Sequence, residues 1–410
     1  MFFIVNVAVC FLLPINGKVF NLIGLDIKLN LLPMSLGLVF LLSFFTSTSK
    51  FKVVLKNKFF KLFSIFFLMY VVSTIFSVEK ELVFDIVIQK ASFIVIPIAI
   101  FSNAAFYVRK APQLFKAFFV GVLFTLVVLD FSGILLYFTE GNFPMYVAYS
   151  KVFHPTYVGL NIVLLMLMNL YRFGEDELTW KKYMFHMLFL FFLLFHLFVL
   201  LSKGVIIVTG ISMVIYLFVL MQKHIKKGFA YLSFWLLPVI IFFAVSFSNK
   251  EFHDSVIGRF SELSTYNQGT GSTGFRANLI KQAPAILEKH WVFGVGHGTE
   301  TVHLNSFYQT IGWEHARYYS FNTHNQFLQT WLGIGIAGLF LFCTLMFGPF
   351  MLSIDPVVKI MLFCFVFLFC TEAMLERQAG ITLFVFFYCL FIGLTRPRQM
   401  KARKRVLTFS

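Results

Sequence analysis

Runs of about 20 apolar residues recur from the first residues of this chain almost to its end, separated by clusters of lysine and arginine. A soluble fold has only its interior in which to hide such runs, and 410 residues provide too little of it. Hydrophobic residues make up 59% of the chain and charged residues only 13%, about half the share of an average soluble domain. Phenylalanine alone contributes 59 residues. These features leave a polytopic, all-α membrane protein as the fold class. The five cysteines, Cys10, Cys343, Cys364, Cys370 and Cys389, all fall within apolar stretches, so neither a disulfide framework nor a zinc site is expected.

About twelve transmembrane helices are expected, centred near Ala8, Leu38, Leu68, Ile98, Leu126, Leu164, Leu194, Met213, Val239, Ala337, Val366 and Phe386. The first lacks a basic leader and a small-residue cleavage site, so it reads as a retained span. Of the 34 basic residues, 21 fall in one alternating set of connections and only seven in the other. The rich set runs from the Lys50–Lys61 cluster through Arg109, Arg172 and Lys223 to the tail after Arg396. Positive charge is retained in the cytoplasm, so both termini are expected there. The net charge of +16 is then accounted for by topology and anionic lipid, and no nucleic-acid partner is expected.

The division that follows is spans one to nine over 1–248, a large extracytoplasmic loop over 249–322, spans ten to twelve over 323–396 and a basic tail over 397–410. A loop of that length is either functional or disordered, and its aromatic residues and helical periodicity argue for order. Its second half opens Gly271-Ser272-Thr273-Gly274-Phe275-Arg276, after which Phe275, Leu279, Ala283 and Ile286 recur at helical spacing. An amphipathic helix at the membrane surface is expected, capped by Ser272 or Thr273 and kinked or split at Pro284. Arg276 would sit in its first turn, either against lipid headgroups or as a fork for a phosphate. The following Gly294-Val295-Gly296-His297-Gly298 permits a tight turn, but it is neither a Walker loop nor a dinucleotide fingerprint.

The loop closes on Asn322-Thr323-His324-Asn325-Gln326, immediately before an apolar run. Thr323 and Gln326 have the spacing of a capping box, which would put His324 in the first turn of the tenth span. There the helix dipole disfavours imidazolium, leaving either a general base or an interfacial anchor. Lys203, in the Leu201-Ser202-Lys203-Gly204 hairpin, lies against the charge rule, so it either snorkels to water or holds a phosphate. His154 begins the sixth span on the same side. Glu372, Glu376 and Arg377 lie between the last two spans, with the two glutamates at the spacing of one helix face. His186, His196 and Asp130 have no evident company and receive no role.

Two cations and a base suit transfer from a phosphate-leaving donor to a hydroxyl. The chain has no Asp-x-Asp metal motif, so lysine and arginine would stabilise the leaving group, with no metal and no cofactor. Nucleotides are not expected outside the cytoplasm, which points to a lipid-linked diphosphate sugar carrying its own leaving group.

These segments resemble the O-antigen ligase and polymerase superfamily. The resemblance rests on Ser202-Lys203-Gly204, Gly274-Phe275-Arg276, Trp291-Val292-Phe293-Gly294-Val295-Gly296 and Thr371-Glu372 with Leu375-Glu376-Arg377-Gln378. Its most specific part is His324-Asn325-Gln326-Phe327-Leu328-Gln329, continuing through Gly333-Ile334-Gly335 to Gly338. The resemblance implies a GT-C-like fold in the bacterial inner membrane. It also implies a metal-independent, inverting transfer of a glycan from undecaprenyl diphosphate to lipid A-core on the periplasmic face. By position, His324 would activate the acceptor hydroxyl, while Arg276 and Lys203 would hold the diphosphate. Glu376, Arg377, His154 and Asn325 would support them. The family's turn usually has arginine where this chain has Lys203.

Polymerisation of the lipid-linked glycan and protein O-glycosylation share donor and chemistry with the ligase reaction, so the residues do not separate them. A transporter of lipid-linked sugars would need ionisable residues deep in several spans, and few are evident.

Overall fold

The computed structural model describes residues 1–15, 31–46, 51–77, 81, 83–141, 144–150, 153–175, 179–223, 271–310 and 312–393, with 232, 240, 254, 257–258 and 261 in between. Among the described residues every regular element is a helix. We number the longer ones α1 (Phe2–Leu12), α2 (Leu31–Thr46), α3 (Lys58–Ser73), α4 (Val83–Lys90), α5 (Ser92–Ser102), α6 (Ala104–Glu140) and α7 (Pro155–Glu175). They continue with α8 (Trp180–Leu200), α9 (Lys203–Lys223), α10 (Gly271–His290), α11 (Glu300–Thr310), α12 (Gln326–Phe347), α13 (Pro356–Phe369) and α14 (Gln378–Gly393). Every expected span centre falls on one of these helices except Val239, which lies outside the described residues.

Local chemistry sets several of the starts. The Asn57 side chain accepts the backbone N–H of Phe59 at 2.9 Å to cap α3. Asp355 caps α13 in the same way through Val357, with Pro356 at the first helical position. Gly141, in the left-handed region, ends α6.

Among the described residues, six stretches are long and apolar enough to cross a membrane: Lys58–Phe76, Val83–Ser102, Ala104–Glu140, Trp180–Leu200, Lys203–Gln222 and Gln326–Met351. Helices α1, α2, α13 and α14 are apolar but shorter. Side chains such as Phe131, Leu188, Val214, Phe218 and Phe340 point outward, as they would towards lipid. Within the bundle, α14 is buried at every residue from Gly380 to Gly393, and α7 is wedged among α6, α8, α9 and α13. Phenylalanine fills the space between helices. Phe66 stacks on Phe342 with centroids 5.7 Å apart, Phe63 meets Tyr388 edge-on at 5.1 Å, and Phe369 meets Phe384 at 5.2 Å.

The described second half of the long loop packs against the start of α12 through an apolar cluster separate from the main core. Leu279, Ile286 and Leu287 of α10 are buried with Val295, Leu304, Tyr308 and Leu332. Helix α10 begins at Gly271, so Ser272 and Thr273 are inside it and do not cap it. It also runs through Pro284 as one helix and is not split there. The Gly294–Gly298 loop then docks on α12. Gly335 has φ +73 in the middle of that helix and opens its hydrogen-bond ladder. Ile336 donates to the carbonyl of Trp291 at 3.0 Å, and Val295 donates to Leu332 at 2.7 Å. A side chain at Gly335 would have its Cβ 2.0 Å from the Val292 carbonyl oxygen, so only glycine fits.

Candidate active site at one end of the bundle

The starts of α7, α9, α10 and α12 meet the connection between α13 and α14 at one end of the bundle. The described basic residues Lys58, Arg109, Lys110, Lys116, Arg172, Lys181, Lys182, Lys223 and Lys359 lie at the opposite helix ends.

A cavity of about 210 Å³ opens there, with Lys203, Ser202, Thr156, Arg276 and Glu372 in its wall. Glu372 is the junction. One carboxylate oxygen accepts from the Arg276 guanidinium and the other lies 3.0 Å from His324 Nδ1. Arg276 and His324, far apart in sequence, are thus brought together around one carboxylate, and Lys203 lines the cavity that this carboxylate also borders. Burial would raise the Glu372 pKa, but the His324 hydrogen bond and the Arg276 charge outweigh it and hold the carboxyl at about 2. An ionised carboxylate on Nδ1 fixes the orientation of the His324 ring and leaves Nε2 as its other nitrogen.

The local geometry differs from the expectation in three respects. His324 is not in the first turn of α12. Asn325 is the cap, its side chain accepting from Leu328 N at 3.1 Å, because Thr323 turns inward to bond Gln329 at 3.0 Å. His324 therefore precedes the helix, with φ +46 and its N–H held by the Asn322 side chain at 2.9 Å. A left-handed histidine is strained, and such strain is concentrated at functional sites. Arg276 occupies the second turn of α10, not the first, so it reaches Glu372 across the cavity wall and does not sit on the free N–H groups. Lastly, Glu372 and Glu376 share no helix face, because α13 ends at Phe369 and Glu376 lies in a single 3-10 turn.

Glu376 belongs to a second network. It accepts from Lys90 at 3.4 Å and from Gln326 at 3.4 Å, and His297 Nε2 lies 3.8 Å away. Lys90 also donates to the Leu375 carbonyl at 2.6 Å and sits 4.5 Å from the Tyr70 ring centroid. The other ring nitrogen of His297 lies 2.5 Å from Glu300, whose second oxygen accepts the Gly298 N–H at 2.6 Å. Burial would raise the Glu376 carboxyl, yet Lys90 and His297 hold it below its usual range. Lys90, His297 and Glu300 were not among the expected site residues. The available signals were a lysine against the charge rule and a histidine set between glycines.

The remaining expected residues are distributed around these networks. Asn325 donates to the Cys370 carbonyl at 3.1 Å and so ties α12 to the connection bearing Glu372. His154 precedes α7, and burial, the largest influence on it, lowers its pKa to about 4, so it is uncharged near neutrality. Arg377 is exposed beyond the 3-10 turn. The residues thought to lack company have it. Asp130 accepts from Tyr149 at 2.6 Å and lies 3.1 Å from His196, and His186 lies 2.7 Å from the Asn169 side-chain oxygen.

No curated protein matches this chain. Residues 188–343 match the family model described as O-Antigen ligase, a segment that contains Lys203, Arg276 and His324 and stops short of Glu372. Over residues 188–343, then, the chain is similar to the O-antigen ligase family, and three of the expected site residues lie within that similarity.

Proposed function

We propose that the protein is an O-antigen ligase-type glycosyltransferase of the bacterial inner membrane. It would have about twelve spans in a GT-C-like arrangement and a site on the periplasmic face. The observation that carries this reading is the single carboxylate of Glu372 joined to both a histidine and an arginine at the edge of a cavity that Lys203 also lines. The basic residues at the opposite end of the bundle support a cytoplasmic position for that end.

In the proposed step, the acceptor hydroxyl of lipid A-core gives its proton to His324 Nε2 as its oxygen attacks the anomeric carbon. The bond from that carbon to the diphosphate of undecaprenyl diphosphate breaks, and the diphosphate leaves with the electron pair. Attack opposite the leaving group inverts the anomeric centre. Lys203 and Arg276 offset the charge that builds on the diphosphate, work for which the proposal needs no metal. Glu372 holds His324 in position and balances the imidazolium.

The test is transfer by the purified protein in nanodiscs, with undecaprenyl-diphosphate-linked glycan as donor and lipid A-core as acceptor. His324→Ala should lower the rate by about 10² to 10⁴ while the protein stays folded. Wild-type rates in that variant would remove the histidine from the chemistry. Replacing lipid A-core by a second lipid-linked glycan tests for polymerase activity, because a longer lipid-linked chain would then be the product.

A further inference from the structure

A second cavity, of about 360 Å³, lies on the other side of the wall that bounds the first. The two share their partitions. On α7, Thr156 faces the first cavity while Tyr157, Val158 and Asn161 face the second, which His154 also lines. The spacing of 154, 157, 158 and 161 places them on one side of that chain segment. On the connection between α13 and α14, Thr371 and Glu372 face the first cavity while Arg377 and Gln378 face the second. The far side is apolar, closed by Leu13, Pro14 and Leu383.

Three observations point to a polar ligand. The Asn161 side chain is only 3% exposed, and its Oδ1 has no hydrogen-bond partner. Leaving a buried amide oxygen unmet is costly, so a donor such as a sugar hydroxyl is the natural complement. His154 Nδ1 is likewise buried without a partner. Arg377, among the described residues, is in no ion pair, although it lies close enough to His154 to influence its charge. A guanidinium, an unmet amide and an uncharged imidazole on one wall, facing an apolar wall, suit a sugar that bears hydroxyls and an anionic group and is attached to lipid. His154 also feels the charges of Glu372, His324 and Arg276, so this cavity lies within electrostatic range of the first network.

We infer that this cavity is the acceptor pocket, in which Arg377 pairs with an anionic substituent and Asn161 accepts a hydroxyl of a lipid-anchored sugar. The inference rests on the transferase reading above. Arg377 and Asn161 are then residues that select the acceptor and take no part in the bond-making step.

The test measures equilibrium binding of purified lipid A-core, and of its dephosphorylated form, to the full-length protein in nanodiscs without donor. Arg377→Gln and Asn161→Leu should each weaken binding of the phosphorylated probe by about tenfold or more, the worth of one charge-assisted or buried hydrogen bond. Dephosphorylation should cost the wild type a similar factor and cost Arg377→Gln almost nothing further, whereas Arg276→Gln should bind as the wild type does. Arg377→Lys, which keeps the charge, should recover part of the loss and guards against misfolding of the asparagine variant. Undiminished binding in Arg377→Gln, loss confined to Arg276→Gln, or no binding by the wild type would overturn the pocket. Because no turnover is involved, absence of transfer by the wild type would defeat the transferase reading and leave this result unchanged.

Discussion

Glu372 and Glu376 stand four residues apart on one short connection, and the protein puts them to opposite uses. Glu372 lies at the rim of a cavity and bonds two groups suited to chemistry. Glu376 instead bonds enclosed partners, since Lys90 and Gln326 have no exposure and His297 has 4%. Its network links α4, α12 and the Gly294–Gly298 loop to the connection, through Lys90, Gln326 and His297. Of two ion-pair networks side by side, the one beside open space can exchange its partners for a substrate, while the enclosed one sets the frame.

The largest effect that would sharpen this contrast is on stability. Lys90→Met leaves Glu376 near Glu300 without its cation and should destabilise the protein by about 3–5 kcal/mol. Thermal unfolding in detergent would measure it, and adding Glu376→Gln should recover much of the loss. Glu372→Gln should act on rate instead, lowering transfer by about 10²-fold with a much smaller shift in unfolding temperature. If Glu372→Gln unfolds the protein as readily as Lys90→Met, both glutamates are struts and the distinction fails.

The smallest effect concerns pH. A carboxyl held at about 2 in the fold, against an ordinary 4.5, favours the folded state fully above 4.5 and loses that contribution as pH falls towards about 2. The unfolding temperature should therefore carry no Glu372 contribution to its pH dependence from roughly pH 5 to 9, because both states hold it ionised there. It should fall in the acid range less steeply for Glu372→Gln than for the wild type.

The helices were legible because a membrane span is written locally, in some 20 successive residues. Lys203, Arg276 and His324 were legible for a related reason, since each is a polar residue at the edge of an apolar run. What hid the rest was competition and distance. Asn325 and Thr323 are both competent caps, and only the inward partner Gln329 settled which of them closed α12. The helical spacing of Glu372 and Glu376 misled because α13 stops before either residue. Lys90 meets Leu375 and Glu376 across about 285 residues of chain, and Asp130 meets His196 across 66, separations at which no spacing rule operates.

The opening in α12 at Gly335 has a mechanical consequence. Where the helix drops its own bonds, Trp291, Val292 and Val295 take them up, so a helix long and apolar enough to span a membrane is stitched to the loop that follows α10. Any tilt or stretch of α12 at this point would therefore be felt by the turn carrying His297 and Glu300.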